Sequence, residues 1–389
     1  MKQKITLLAV ILYVVSSGLS YLAFTTVFSK GFGNIATPVP EPKKTASGSL
    51  LFDDSLPKTE ACPINGALYS KQQRQWWEKH RPLGIMIENH EESRPQSGVS
   101  NADIVYEAIA EGGITRMLNI FYCQDAPIVG PVRSARTYFL DFLSEYGDFP
   151  LYAHVGGANT DGPADALGQI ESYGWQNYND LNQFSIGFPV FVRDYDRLGR
   201  TVATEHTMYS STTKLWDYAA KNRKLTNKDE DGKEWDGTFV PYVFKDDEVL
   251  SARPAAQVIS YDFWEGYKEY AVTWTYNKAN NVYARANGGA PHLDLNTKKQ
   301  LAPHTVVVLF MKESRANDGY ENNLHMLYGT KGTGKAKVFM DGKEIDANWS
   351  KKSRISHLQL KDARGKDIEF NKGQIWFTIV APDTEVLVK

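Results

Sequence analysis

The chain has 389 residues, enough for two or more domains with sizeable cores. Its composition is that of an ordinary globular protein rich in Tyr and Trp, and its formal net charge is −2. That balance excludes a general nucleic-acid binder, which needs a basic face for phosphates, so any arginine cluster here is a local device.

Lys2 and Lys4 precede "ITLLAVILYVVSSGLSYLAFTTVF", residues 5–28, which carries no charge. Twenty-four residues rising about 1.5 Å each reach roughly 36 Å, enough for a ~30 Å hydrocarbon core with some tilt. A cleaved signal peptide is the competing reading, but its apolar region is usually shorter and ends in an A-x-A-like site, which is missing here. Residues 1–28 are therefore read as a cytoplasmic start and a single-pass anchor in the cell membrane. The basic start places everything after residue 28 on the extracytoplasmic side. Residues 29–60 are rich in Pro, Gly and Ser, show no hydrophobic period, and are expected to be a flexible linker.

Residues 61–220 alternate between strand-like and helix-like segments. Cys62 opens this region and Cys123 ends the run "MLNIFYC"; an oxidising compartment allows them to pair. Closing so long a loop stabilises by roughly 4 kcal/mol if chain entropy is the source. Two cysteines so far apart do not suggest a metal site. "LGIMIEN" (83–89) reads as a strand. "ADIVYEAIAEGGITRMLNIFYC" admits a helix stopping at Gly112 or a hairpin turning on Gly112-Gly113, and the glycine pair between two β-rich runs favours the hairpin. In an even register Glu107, Glu111 and Arg116 share one face.

"GPVRSARTYFLDF" (130–142) then delivers Arg133 and Arg136 into the first turn of an amphipathic helix capped by Ser134. That helix end already carries partial positive charge, so two cations there call for an anion. His154 sits near the end of the next strand, Gly156-Gly157 opens a loop, and Pro163 suits a first helical position. Arg193 and His206 precede a helix starting near Ser211.

The succession "RPLGIMIENHEESRPQSGVSNADIVYEAIAEGGITR", "GPVRSARTYF", "HVGG" and "EHTMYS" resembles the YerB-like lipoprotein family of bacteria, from about Arg81 to the end. The resemblance implies a layered α+β N-terminal domain outside the membrane, followed by a smaller C-terminal domain. It brings no activity with it. The chain departs from a lipoprotein in having no cysteine after its apolar segment, so the helix itself would be the anchor.

Residues 221–237, "KNRKLTNKDEDGKEWDG", form a charged linker, and 238–389 read as a β-rich domain with turns every 8 to 15 residues. "GTKGTGKA" (329–336) imitates a phosphate loop but ends in Ala336 and precedes a strand pattern turning at Asp341-Gly342. Nucleotide binding is rejected. No G-x-S-x-G, no H-E-x-x-H and no tight His/Cys cluster occurs, and no cofactor is expected. His90, His154 and His206 would have to converge by folding.

Three functions follow. The first is a binding protein for an anionic cell-wall or glycan ligand, gripped by Arg94, Arg116, Arg133, Ser134, Arg136 and Arg193. The second is an envelope hydrolase or transferase using Glu107 or Glu111 with His154 or His206. The third is a scaffold. A cleft shared by a carboxylate and a histidine favours catalysis; arginines neutralised by the chain's own glutamates favour the scaffold.

Overall fold

The computed structural model describes residues 12–21, 40–45, 50–320 and 323–389. The chain divides into two units, residues 1–41 and 42–389. In the first, a helix covers 12–21 with exposed side chains, and the other residues of the expected span lie outside the described ones. Among the described residues, no helix is long and apolar enough to cross a membrane.

The larger unit is organised on a ten-stranded mixed sheet. In chain order its strands are β1 (Leu83–Glu88), β2 (Ile104–Glu111), β3 (Ile114–Phe121), β4 (Leu151–His154), β5 (Asp180–Asn182), β6 (Thr305–Phe310), β7 (Gly332–Met340), β8 (Lys343–Lys351), β9 (Gln359–Asp362) and β10 (Ile375–Val380). Across the sheet the order is β9-β8-β7-β6-β10-β2-β3-β1-β4-β5. "TVVVLF" in β6 and "IWFTIV" in β10 are continuous apolar runs, as expected of parallel strands covered on both faces. β10 lies parallel between β6 and β2. Backbone hydrogen bonds therefore join the segment expected at 238–389 to the one expected at 61–220. Residues 221–237 between them begin inside the helix Thr212–Arg223 and bury Trp235 against Tyr122, ring centroids 5.1 Å apart.

Even-numbered residues of β1, β2 and β3 face the helix Thr137–Leu143. Tyr106 stacks on Phe142 at 4.7 Å, and a Cβ at Gly84 would come within 2.8 Å of Leu143. On this side Lys351 Nζ reaches Glu145 at 2.9 Å, both buried. The odd-numbered face packs on a second, antiparallel five-stranded sheet that includes Val272–Asn277 and Val282–Asn287. There Trp376 meets Trp274, with ring centroids 5.4 Å apart.

Local expectations fare unevenly. β7 and β8 do turn at Asp341-Gly342, both at positive φ (55° and 71°), so "GTKGTGKA" runs into a strand and opens no helix. Cys62 and Cys123 are bonded. The flexible linker is corrected where it is described. Lys43–Lys44 pair with Leu50–Leu51, Phe52 packs on Trp76 at 5.3 Å, and Lys58–Ala61 pair with Leu68–Ser70. The cause is apolar: Phe52 finds an aromatic partner at the core's rim. Residues 29–39 and 46–49 of that segment lie outside the described ones. Pro163 does not begin a helix; Asp165 caps one over Ala166–Ser172.

Candidate functional site

The hairpin turns on Gly112-Gly113, both at positive φ. Its register is not the even one. Ala108 faces Arg116, Glu107 faces Met117, and the pairing shifts between Ile109 and Glu111. The extra residue puts the two carboxylates on opposite faces, which corrects the expectation of one shared face.

Glu107 lies on the face toward the second sheet, fully buried. It accepts from Asn89 Nδ2 (3.1 Å), Thr115 Oγ1 (2.9 Å), Arg285 Nη2 (2.9 Å) and Trp376 Nε1 (3.1 Å). The Arg285 guanidinium sits 4.9 Å from the Trp274 ring and 4.5 Å from the Trp376 ring. Its Nε donates to His292 Nδ1 (3.0 Å), so His292 Nε2 carries the proton it gives to Gln96 Oε1 (2.6 Å). Burial, with Arg285 and Arg94 beside it, holds His292 well below the usual imidazole range. Arg94 belongs here too: it donates to Asn89 Oδ1 and to the carbonyls of Asn89 and Glu269. Glu107 and Arg94 thus bind the two sheets together, and neither reaches the other arginines.

Arg116, Arg133 and Arg136 gather on the helix-bearing face, at the C-terminal ends of β1 and β2. Beyond Ile85 and Ala153 the parallel pairing of β1 and β4 stops, and residues 131–135 insert between them. Arg133 N donates to Met86 O (2.9 Å), Val155 N to Arg133 O (3.0 Å), and Ala135 N to Gly156 O (2.9 Å). These bonds hold the segment extended. The helix therefore starts at Thr137, with Arg136 as its N-cap, and spans only seven residues. Arg133 and Ser134 precede it, so the helix-end anion site is corrected to a cluster on an inserted strand.

In that cluster Glu111 sits between two buried guanidiniums, 2.7 Å from Arg116 Nη2 and in contact with Arg136 Nη2. Burial alone would raise its carboxyl; Arg116 and Arg136 outweigh that and hold it well below the usual range. Arg116 Nη1 also donates to Ser134 O (3.1 Å). Arg133 differs. Its side chain is 24% exposed and its Nε lies 3.0 Å from Glu88 Oε1. Glu88 Oε2 meets His206 Nδ1 at 2.8 Å, and His206 Nε2 is 3.7 Å from Glu92. Burial lowers the His206 pKa, but the hydrogen bond to Glu88 together with the charges of Glu88 and Glu205 outweighs it, and the net shift is upward. Arg116 and Arg136 thus share Glu111, while Arg133 meets Glu88 at a partly open position where the carboxylate of Glu205 also feels its charge.

The histidines do not converge as three. His90 stacks on His206 at 4.8 Å. His154 lies apart, fully buried, with Nε2 2.6 Å from Asp180 and Nδ1 2.6 Å from Gly156 O. Both its ring nitrogens face acceptors, so no lone pair is free for a substrate. Arg193 bonds Thr204 O and Thr207 Oγ1 and steadies its own loop. Glu88, Asp180, Arg285 and His292 escaped the sequence reading. Arg285 had a signal: it holds an inward position of the alternating strand "VYARAN".

Fold and site together define a mixed α/β, strand-rich protein whose two halves share one sheet. The chain belongs to the DUF3048 family. Residues 69–226 match "Protein of unknown function (DUF3048) N-terminal domain" and residues 259–377 match its C-terminal domain, together more than half of the chain. It is 29% identical over 337 residues to "Putative lipoprotein YerB" of Bacillus subtilis (strain 168), covering 85% of this chain and 90% of the relative. The crystal structure of YerB protein from Bacillus subtilis superposes with a TM-score of 0.67 at 24% identity, over 85% of this chain and 100% of that one.

Proposed function

We propose that this protein is a membrane-anchored, extracytoplasmic binding protein whose ligand is an anionic envelope polymer or glycan, held at Arg133. The observation that carries the reading is the uneven exposure of the cluster. Glu111 engages Arg116 and Arg136 inside the fold, while Arg133, paired through Nε with Glu88, keeps part of its guanidinium open to solvent. Such a fork suits a carboxylate or phosphate. Its position supports the same reading, because ligands of open α/β sheets settle where neighbouring parallel strands diverge at their C-terminal ends. Arg116, Arg136 and Ser134 act behind it as positioning residues.

The uncharged 5–28 segment and the lipoprotein name of the Bacillus relative support attachment to the outer side of the cytoplasmic membrane. The hydrolase reading is less supported: Glu107 is sealed by four donors and His154 by two acceptors, Glu111 lies between Arg116 and Arg136, and His206 Nδ1 is taken by Glu88.

Calorimetric titration of the full chain with tripolyphosphate and with trigalacturonate tests the proposal. Binding of at least one is expected, and Arg133→Gln should weaken it at least ten-fold. Unchanged binding in that variant, or no binding by the wild type, contradicts it.

A further inference from the structure

The loop that follows β5 carries the two most exposed phenylalanines among the described residues, Phe184 at 76% and Phe188 at 82%. They belong to "QFSIGFPV" (183–190), eight residues without a charge. The loop is braced at its base. Gly187 N closes the one-turn helix Gln183–Ile186 on Gln183 O (2.8 Å), at a φ of 65°. Asn182 Oδ1 accepts from Phe184 N (3.2 Å), Asn182 O from Ser185 Oγ (2.9 Å), and Val190 O from Ser210 Oγ (2.8 Å). Ile186 and Val190 pack on the core, and Phe191 is buried. The loop thus turns its aliphatic residues inward and holds both rings in solvent. Paired apolar rings on an uncharged, braced loop mark an interaction surface.

Where the tether ends decides what that surface meets. The larger unit begins at Pro42, and Lys43–Lys44 pair with Leu50–Leu51, whose Leu50 N donates to Asp125 Oδ2 (3.1 Å). Lys44 lines a cavity of about 360 Å³ with Val192, Asp194, Tyr209 and Lys214. Val192 lies four residues beyond Phe188, at most about 14 Å of extended chain. Residues 29–41, between the uncharged 5–28 segment and Pro42, span at most roughly 47 Å. A bilayer that takes up residues 5–28 is therefore kept within reach of the loop. Lys44 and Lys214 are exposed, against the single carboxylate of Asp194 in that cavity, a balance that suits phospholipid phosphates.

We propose that the 183–190 loop docks on the membrane that holds the anchor, with Phe184 and Phe188 buried at the boundary of headgroups and acyl chains. The inference rests on the membrane attachment read above and is independent of Arg133. The recognised chemistry is a phospholipid surface: hydrocarbon for the rings and phosphate for the neighbouring lysines. The tether supplies a high effective concentration of bilayer, so two side chains suffice for a contact too weak to form without it. Docking also sets an orientation. Phe184 rests on Gly156, where a Cβ would lie 2.9 Å from its ring, and Gly156 O accepts from Ala135 N of the arginine-bearing segment. The sheet edge that carries Arg133 is then held toward the membrane.

The test uses the full chain in vesicles of phosphatidylcholine with a minority of phosphatidylglycerol. A fluorophore is attached to S185C, between the two rings, or to K366C, which is exposed and follows β9 at the opposite end of the ten-stranded sheet. Both native cysteines are bonded, so only the introduced thiol reacts. Phospholipid with a nitroxide on its acyl chain should quench the S185C label at least two-fold and leave the K366C label unchanged. F184S/F188S should abolish the quenching at S185C while the chain still floats with the vesicles. An unquenched S185C label assigns the rings to a protein partner and overturns membrane docking, leaving the anchor and Arg133 untouched. Equal quenching at K366C, or quenching that survives F184S/F188S, overturns it as well. A wild-type chain that does not float with the vesicles overturns anchor and docking together.

Discussion

Arg133 and Arg136 stand three residues apart and should respond to mutation unequally. Arg136 is buried on Glu111, so Arg136→Gln leaves that carboxylate with Arg116 alone. Glu111 keeps one-fifth of its side chain exposed, which places the expected loss at the low end of a broken buried pair, about 3 kcal/mol. Arg133→Gln should cost less, about 1 kcal/mol, because its guanidinium is partly exposed and Glu88 keeps its hydrogen bond with His206 Nδ1. Denaturant melts of the two variants check this, and equal losses would return Arg133 to the scaffold. The pH dependence follows from two carboxyls with opposite shifts. Glu111 is held below its unfolded value, so its contribution is present above about pH 4.5 and is lost as the pH falls below that. Asp103, which accepts from the amides of Tyr122 and Cys123, is pushed up to about 7 by burial. Its contribution is complete below about pH 4 and fades as the pH rises through 7. Glu111→Gln should therefore flatten the acid side of the stability profile, and Asp103→Asn the side between pH 4 and 7. The arginines themselves were legible, because "GPVRSAR" sets cations where local structure gives them no partner. Their partners were not. Glu88 reads as the last residue of an apolar strand, and only the inserted 131–135 segment brings it to Arg133.

At the scale of elements, β10 carries the strongest consequence. The C-terminal family segment ends within it, at residue 377, yet it lies between β6 and β2, and its Trp376 donates to Glu107. Removing it exposes the edges of both flanking strands and strips Glu107 of a donor. A chain ending after residue 258 should therefore be unfolded or aggregated, with collapsed amide dispersion in NMR spectra. A well-dispersed spectrum from that fragment would mean that the N-terminal segment completes its own sheet. The strands β1, β2, β3, β6 and β10 were readable from apolar runs and glycine turns. Their order was not, since nothing local in "IWFTIV" names its neighbours. The hairpin shows the same boundary at finer grain. Gly112-Gly113 announced the turn, but the shift between Ile109 and Glu111 left no mark in "YEAIAEGG", and that one residue decided which face Glu107 joined.

For the whole molecule, parallel strands from both family segments end on one edge of a continuous sheet. Buried pairs hold the layers in place: Glu107 with Arg285 on one face, Glu145 with Lys351 on the other. The edge is thus built by both segments, with the partly exposed Arg133 in its N-terminal part. Composition could not disclose this surface, because a net charge of −2 averages over the whole chain. The most direct measurement is arginine footprinting of the full chain with a dicarbonyl reagent, read by mass spectrometry with and without saturating polyanion. Arg133 should be modified in the free protein and protected by the ligand, while Arg116 and Arg136, buried on Glu111, stay unmodified in both. An Arg133 that reacts equally with and without bound ligand would contradict the claim that this residue holds the anion.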